Sequence, residues 1–191
     1  MTPTSPIIAD IAINVACLAE RINKTSKQRK LDGYEFQEAV LLLCYQLVHF
    51  CPIDEPSVTN DLDRLCQLTL IAFITTLLLE YGHNPARYNL LSGNLATTMM
   101  QTAISGTNAS FMLWCIFVGG ITVFHRDDDE WMRPLLSRIC QQLELSSWAE
   151  VRDVLMSFAW IKSIHDKPGK VLWETFTDGS KGHTGGDSPT I

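Results

Sequence analysis

LCQLTLIAFITTLLL, residues 65–79, runs for 15 residues without a charge between Arg64 and Glu80. FMLWCIFVGGITVF, residues 111–124, adds 14 apolar or small residues before His125. Both stretches pose one question: bilayer or protein core. A spanning helix needs about 20 apolar residues. Each stretch is shorter, and the first carries Gln67, Thr69, Thr75 and Thr76. The expectation is therefore two core helices and no membrane association. A helix that is apolar all round needs neighbours all round, which calls for an array of helices rather than an isolated coiled coil.

The rest of the chain offers those neighbours. Ser5-Pro6 reads as an N-cap with proline at the first helical position, and Ile7, Ile11, Val15, Leu18 and Ile22 recur at helical spacing. Asp32-Gly33-Tyr34-Glu35 has a capping arrangement, followed by the stripe Phe36, Val40, Leu43, Leu47 and Phe50, which Pro52 stops. Asn60 is placed to cap a helix through about Leu79, with Asp61 and Asp63 at the positive end of its dipole. Gly82, Asn84 and Pro85 break it, and helices from about Ser92 to Ile104 and from about Ala109 to Phe124 follow.

After the polar turn HRDDDE (125–130), Trp131, Leu135, Leu136, Ile139 and Leu143 mark another helix. Ser147-Trp148-Ala149-Glu150 is a capping box. It opens a helix whose apolar face runs Val151, Val154, Leu155, Phe158, Ile161 and Ile164. Lys167-Pro168-Gly169-Lys170 reads as a type II turn, and VLWETF (171–176) as a short closing helix. No stretch alternates with period two, and no fixed repeat emerges. The fold class is all-α: an irregular array of about seven to eight helices over residues 1–176, with a disordered tail over 177–191.

Composition agrees with one folded domain. Of 191 residues, 46% are apolar and 19% charged, which excludes a largely disordered chain. A chain this long buries roughly 70% of its unfolded surface and needs no disulfide or metal staple. The net charge is −6 and the pI about 5.3, so no direct DNA binding is expected from this chain alone. The cysteines are Cys17, Cys44, Cys51, Cys66, Cys115 and Cys140. None forms a C-x2-C pair, and they read as small core hydrophobes in a reducing cytosol or nucleus. The N-terminus has no positive n-region and Asp10 interrupts its apolar stretch, so it does not read as a secretory signal. The Asn23-Lys24-Thr25 and Asn108-Ala109-Ser110 patterns carry no glycosylation meaning without one.

Several groupings invite a chemical reading. His125-Arg126-Asp127 opens like a kinase catalytic loop, but Met132 stands where its asparagine belongs, and no glycine-rich phosphate loop accompanies it. Asp127, Asp128 and Asp129 lack the spacing and closing glutamate of a calcium loop and read as a solvated turn. Cys44, His49 and Cys51 resemble a nucleophile–base or ligand set on paper, but position 49 falls on a different helical face from 44 and 51. Arg21, Lys24, Lys27, Arg29 and Lys30 suggest a nuclear-import or phosphate-contacting patch, but the gaps between the charges favour a solvated basic loop. Trp114, Trp131, Trp148, Trp160 and Trp173 offer the lining of a ligand pocket on one reading, but at helical spacing they read as core. No catalytic, cofactor-binding or metal-ligating residue is assigned, and no enzymatic activity is expected.

The order of the tryptophans carries a resemblance. Leu113, Trp114, Phe117, Gly119 and Gly120 come first. Leu145, Ser147, Trp148, Glu150, Val151, Arg152 and Leu155 follow, then Phe158, Trp160, Asp166, Pro168, Gly169, Leu172 and Trp173. This pattern over 111–173 resembles the C-terminal end of the fungal-specific transcription factor regulatory domain, with a weaker likeness back to about residue 60. The resemblance implies an all-helical, non-catalytic module in a nuclear, or nucleocytoplasmic, regulator of metabolic or secondary-metabolite genes. It implies protein partners, including a homo- or heterodimer, and a possible small-molecule effector. The binuclear zinc cluster that reads DNA in such proteins needs C-x2-C pairs, which this sequence lacks, so DNA reading would fall to a partner or to sequence outside the chain. A small helical enzyme or accessory protein of a biosynthetic pathway, using a distant Cys/His or Asp/His pair, is the competing expectation.

Overall fold

The computed structural model describes residues 5–25, 32–54, 60–78 and 88–178. Eight α-helices lie within them: α1 (Pro6–Asn23), α2 (Gly33–Phe50), α3 (Asp61–Leu78), α4 (Asn89–Gln101), α5 (Ala109–Thr122), α6 (Asp129–Gln142), α7 (Trp148–Leu155) and α8 (Lys162–Asp178). One 3-10 turn, Arg126–Asp128, precedes α6. The described residues contain no strand, and the protein is all-α. The expected breaker Gly82-Asn84-Pro85 lies outside the described residues; of the expected tail, Thr177 and Asp178 belong to α8, and residues 179–191 lie outside the described residues.

The two long apolar stretches are the two central helices. α3 packs against α1, α2, α4 and α5, while α5 packs against α3, α4, α6, α7 and α8. Nearly all of α3 is buried, as is α5 from Met112 to Gly119. The N-terminal helices thus gather on α3, the C-terminal ones on α5, and the α3–α5 contact joins the halves. No helix among the described residues is long and apolar enough to cross a membrane.

The polar residues of α3 explain how a buried helix carries charge. Pro52 cannot donate to the end of α2, and the carbonyls there need other donors. Arg64, 6% exposed, donates from Nη1 to the Pro52 carbonyl (3.2 Å) and Gln67 Oε1 (2.9 Å), and from Nη2 to the Ile53 carbonyl (2.8 Å). Gln67 Nε2 donates to the Leu47 and Cys51 carbonyls. Asn60 Oδ1 accepts from the Asp63 amide at 2.9 Å, the expected cap. The Ser5 amide donates to Asp63 Oδ2 at 3.1 Å and ties the start of α1 to α3.

Local expectations held where the hydrogen bonds are local. Asp32 Oδ1 accepts from the Tyr34 and Glu35 amides (2.8 and 3.2 Å). Ser147 and Glu150 form a reciprocal capping box. Bonds from Ser146 and Ser147 hold the Glu150 carboxyl below the usual range.

Four details differ. Ile8, not Ile7, faces the core; Ile7 is 60% exposed. α4 starts earlier than expected, at Asn89, and ends earlier, at Gln101, where the Asn108 side chain fixes the loop beyond it. Asn108 accepts from the Ser105 amide and donates to the Ala103 carbonyl. α7 stops at Leu155, which leaves the Ala159 carbonyl free to accept from Trp114 Nε1 at 2.9 Å.

The expected type II turn at 167–170 does not exist. Pro168 and Gly169 lie inside α8, and no glycine among the described residues has positive φ. The proline forfeits one intrahelical hydrogen bond. The glycine serves close packing: a Cβ there would meet Trp148 at 2.8 Å and Trp160 at 3.2 Å.

Candidate functional site

The five tryptophans anchor the C-terminal half. Trp114 of α5 stacks on Phe158 (centroids 5.7 Å apart, planes 20° apart), and Phe117 packs on Trp148 at 5.9 Å. Trp131 meets Phe124 edge-on at 5.0 Å and donates from Nε1 to Asp128 Oδ1 at 3.0 Å. Gly119 leaves room for the Phe124 ring to fold back over α5, and Gly120 leaves room for Leu172 and Met132.

A polar knot closes this cluster. Asp166 Oδ2 accepts from Arg152 Nε (3.0 Å) and Nη2 (2.9 Å), and Oδ1 accepts from Trp160 Nε1 (2.8 Å). Burial raises the Asp166 carboxyl, but the bonds from Arg152 and Trp160 outweigh it and leave the group below its ordinary value. His165, 1% exposed, sits between the rings of Phe73 and Trp160, with centroids at 5.1 and 5.0 Å. Its Nδ1 accepts from the Ile161 amide at 2.9 Å, so the ring proton sits on Nε2. Thr76 Oγ1 donates to the Phe73 carbonyl and accepts from that Nε2 at 3.1 Å. Burial pushes the imidazole down to about 4, against the pull of Asp166.

Beside the cluster, α6 and α8 diverge and leave a groove of about 610 Å³. Its walls are Pro134, Leu136, Cys140, Leu145, Trp173 and Phe176, with Arg133, Ser137, Gln141, Glu144, Ser146 and Thr177 at the rim. Arg133 Nη1 donates to the Phe176 carbonyl at 2.9 Å, and the guanidinium lies 5.3 Å from the Phe176 ring centroid. This size and mostly apolar wall suit a small organic ligand. Sequence reading assigned none of these residues. The stripe of α6 was legible in the sequence, but α8 was split by the expected turn at 167–170, and a gap between helices is a property of neither.

The chemical groupings do not assemble into a reactive site. Asp128 accepts from the His125 amide at 2.8 Å as well as from Trp131, so the acidic run opens α6 as a turn. Cys51 is buried with its thiol on the Pro52 carbonyl, whereas His49 is exposed and stacked on Tyr45, so Cys44, His49 and Cys51 do not converge. Arg21 pairs with Glu35 and Lys24 with Glu20, all largely exposed; Lys27, Arg29 and Lys30 lie outside the described residues. Burial pushes the Cys66 thiol up to about 12 and Cys140 to about 11, and raises Cys115 well above its ordinary value. No group of three or more His, Cys, Asp or Glu among the described residues is placed to hold a metal ion.

Comparison of the chain with family models, curated proteins and solved structures returned no match.

Proposed function

We propose that the chain is a non-catalytic transcription-regulatory module of the kind found C-terminally in fungal zinc-cluster factors. It acts in the nucleus, or between nucleus and cytoplasm, on metabolic or secondary-metabolite genes. DNA reading belongs to a partner or to sequence outside the chain, since a net charge of −6 opposes phosphate contact. The α6–α8 groove is the place for an apolar effector.

The observation that supports this reading is the company kept by the residues of the resemblance. Trp114, Trp148, Arg152, Phe158, Trp160, Asp166 and Gly169 come from α5, α7, α8 and the segment between α7 and α8, and they meet through stacking, hydrogen bonds and close packing. The cluster supplies rigidity rather than reactive groups, which fits a regulatory scaffold.

A reporter assay tests the proposal. The full 191-residue chain is fused to an unrelated DNA-binding domain. Transcription should shift several-fold, up or down, relative to that domain alone. A soluble fusion that leaves transcription unchanged counts against the module.

A further inference from the structure

The solvent face of α2 carries Tyr34, Leu41, Leu42, Tyr45 and Val48, exposed by 87%, 56%, 55%, 68% and 50%. Glu38 and His49 are exposed beside them, and the Tyr45 and His49 rings stack at 5.7 Å. The opposite face, Val40, Leu43 and Leu47, is buried where α2 meets α1 and α3. α2 is thus apolar on two sides and, among the described residues, covered on one.

The outer face is symmetric in spacing. About a point between Leu41 and Leu42, Tyr34 mirrors His49, Glu38 mirrors Tyr45 and Leu41 mirrors Leu42. A two-fold axis at that point lays the face antiparallel on the same face of a second copy, the self-complementary arrangement that a symmetric dimer requires. Three of these meetings are chemically matched, and the fourth sets Val48 against the exposed Glu35, which pairs with Arg21 of its own chain. The Tyr34 phenol reaches the His49 imidazole, the Glu38 carboxylate accepts from the Tyr45 hydroxyl, and leucine meets leucine. A parallel pairing would set Glu38 against Glu38. Antiparallel helices also align their dipoles favourably.

The area sets the strength. Five such side chains present on the order of 600 Å², taking 150–250 Å² for an aromatic. A standard interface buries roughly 800 Å² per partner. We propose that the outer face of α2 is the seam of a weak, reversible, antiparallel homodimer. The inference needs no transcriptional role for the chain, so it stands or falls apart from the preceding proposal.

Sedimentation velocity on the full chain over a rising concentration series tests it. Wild type should move from 21.5 kDa toward twice that mass. Tyr45→Glu sets an acid against Glu38 of the other copy and should weaken association at least tenfold. Tyr45→Lys creates an opposite-charge pair there and should keep the dimer, and Glu38→Lys with Tyr45→Glu should restore it. All positions are exposed, and an unchanged melting curve shows that the fold is intact. Three results overturn the inference: a wild type that stays monomeric, Tyr45→Glu dimerising like wild type, or Tyr45→Lys dissociating as far as Tyr45→Glu. A monomer whose Tyr45 resists nitration would show another part of the chain covering the face, and would overturn it equally.

Discussion

Gly169 of α8 lies so close to Trp148 of α7 that a Cβ on the glycine would stand 2.8 Å from Cη2 of the indole. Gly93, in α4, has nothing within 4 Å of its Cβ position. Both glycines are helical, so alanine gains about 1 kcal/mol of helix propensity at either. At Gly93 nothing opposes that gain, and Gly93→Ala should stabilise the fold by about that amount. At Gly169 overpacking costs about 1–3 kcal/mol, because the Trp148 and Trp160 rings must move. Gly169→Ala should be net destabilising by about 1 kcal/mol and lower the melting temperature by about 2–4 °C. Thermal melts of the two variants should move in opposite directions; the same sign for both would refute the packing account.

A second backbone feature predicts a gain. Glu144 has φ of 55° and closes α6 with the Leu145 amide on the Cys140 carbonyl (2.9 Å) and the Glu144 amide on the Gln141 carbonyl (3.3 Å). This is a Schellman ending with glutamate where glycine is usual. The left-handed conformation costs a side chain roughly 1–2 kcal/mol. Glu144→Gly should raise stability by about 1 kcal/mol in urea titration, while Glu144→Ala should gain nothing. Equal effects of the two would mean that the carboxylate, not the backbone, sets the energy.

These positions show which parts of the fold were legible in the sequence. The caps at Asp32, Asn60 and Ser147 could be read because donor and acceptor lie within three residues. The two central helices could be read because uninterrupted apolar character demands cover whatever the neighbours are. The Pro168-Gly169 turn was misread because the deciding contacts are rings at Trp148 and Trp160, outside any local window. Ile7 and Ile8 differ by one residue, a rotation of about 100°, and only packing against the rest of the fold chooses between them. The α6–α8 groove had no sequence signal, since it arises from how two amphipathic helices diverge.

Burial also orders the thiols by reactivity. Cys17 is exposed and Cys44 half-buried, while Cys51, Cys66, Cys115 and Cys140 are buried. The buried Cys66, Cys115 and Cys140 thiols are held protonated by desolvation, and thiolate is the reacting species. Alkylation of the native chain at mildly basic pH should label Cys17 first, with Cys66, Cys115 and Cys140 labelled only after unfolding. Peptide mass spectrometry reads this directly, and early labelling of Cys115 would contradict the packing of α5 against α3.

The pH dependence of stability should report His165. Desolvation is the main cause that lowers the imidazole to about 4 in the fold, whereas an unfolded histidine titrates near 6.5. Protonation also destroys the acceptor for the Ile161 amide. The unfolded chain therefore binds more protons between these two values, and stability must fall as pH falls through that window. The contribution is fully present above about 6.5 and lost by about 4, with a span of about 3 kcal/mol. The depressed Asp166 and Glu150 carboxyls add separate losses that begin as pH falls into the carboxylate range, so the upper part of the window, about pH 5.5–6.5, isolates the histidine. Urea midpoints measured across that window should decline for wild type. His165→Asn keeps an acceptor for the Ile161 amide but cannot titrate, and its profile should be flatter there. An imidazole that titrates near 6.5 by NMR in the folded protein, or a variant with the wild-type slope, would remove His165 as the source.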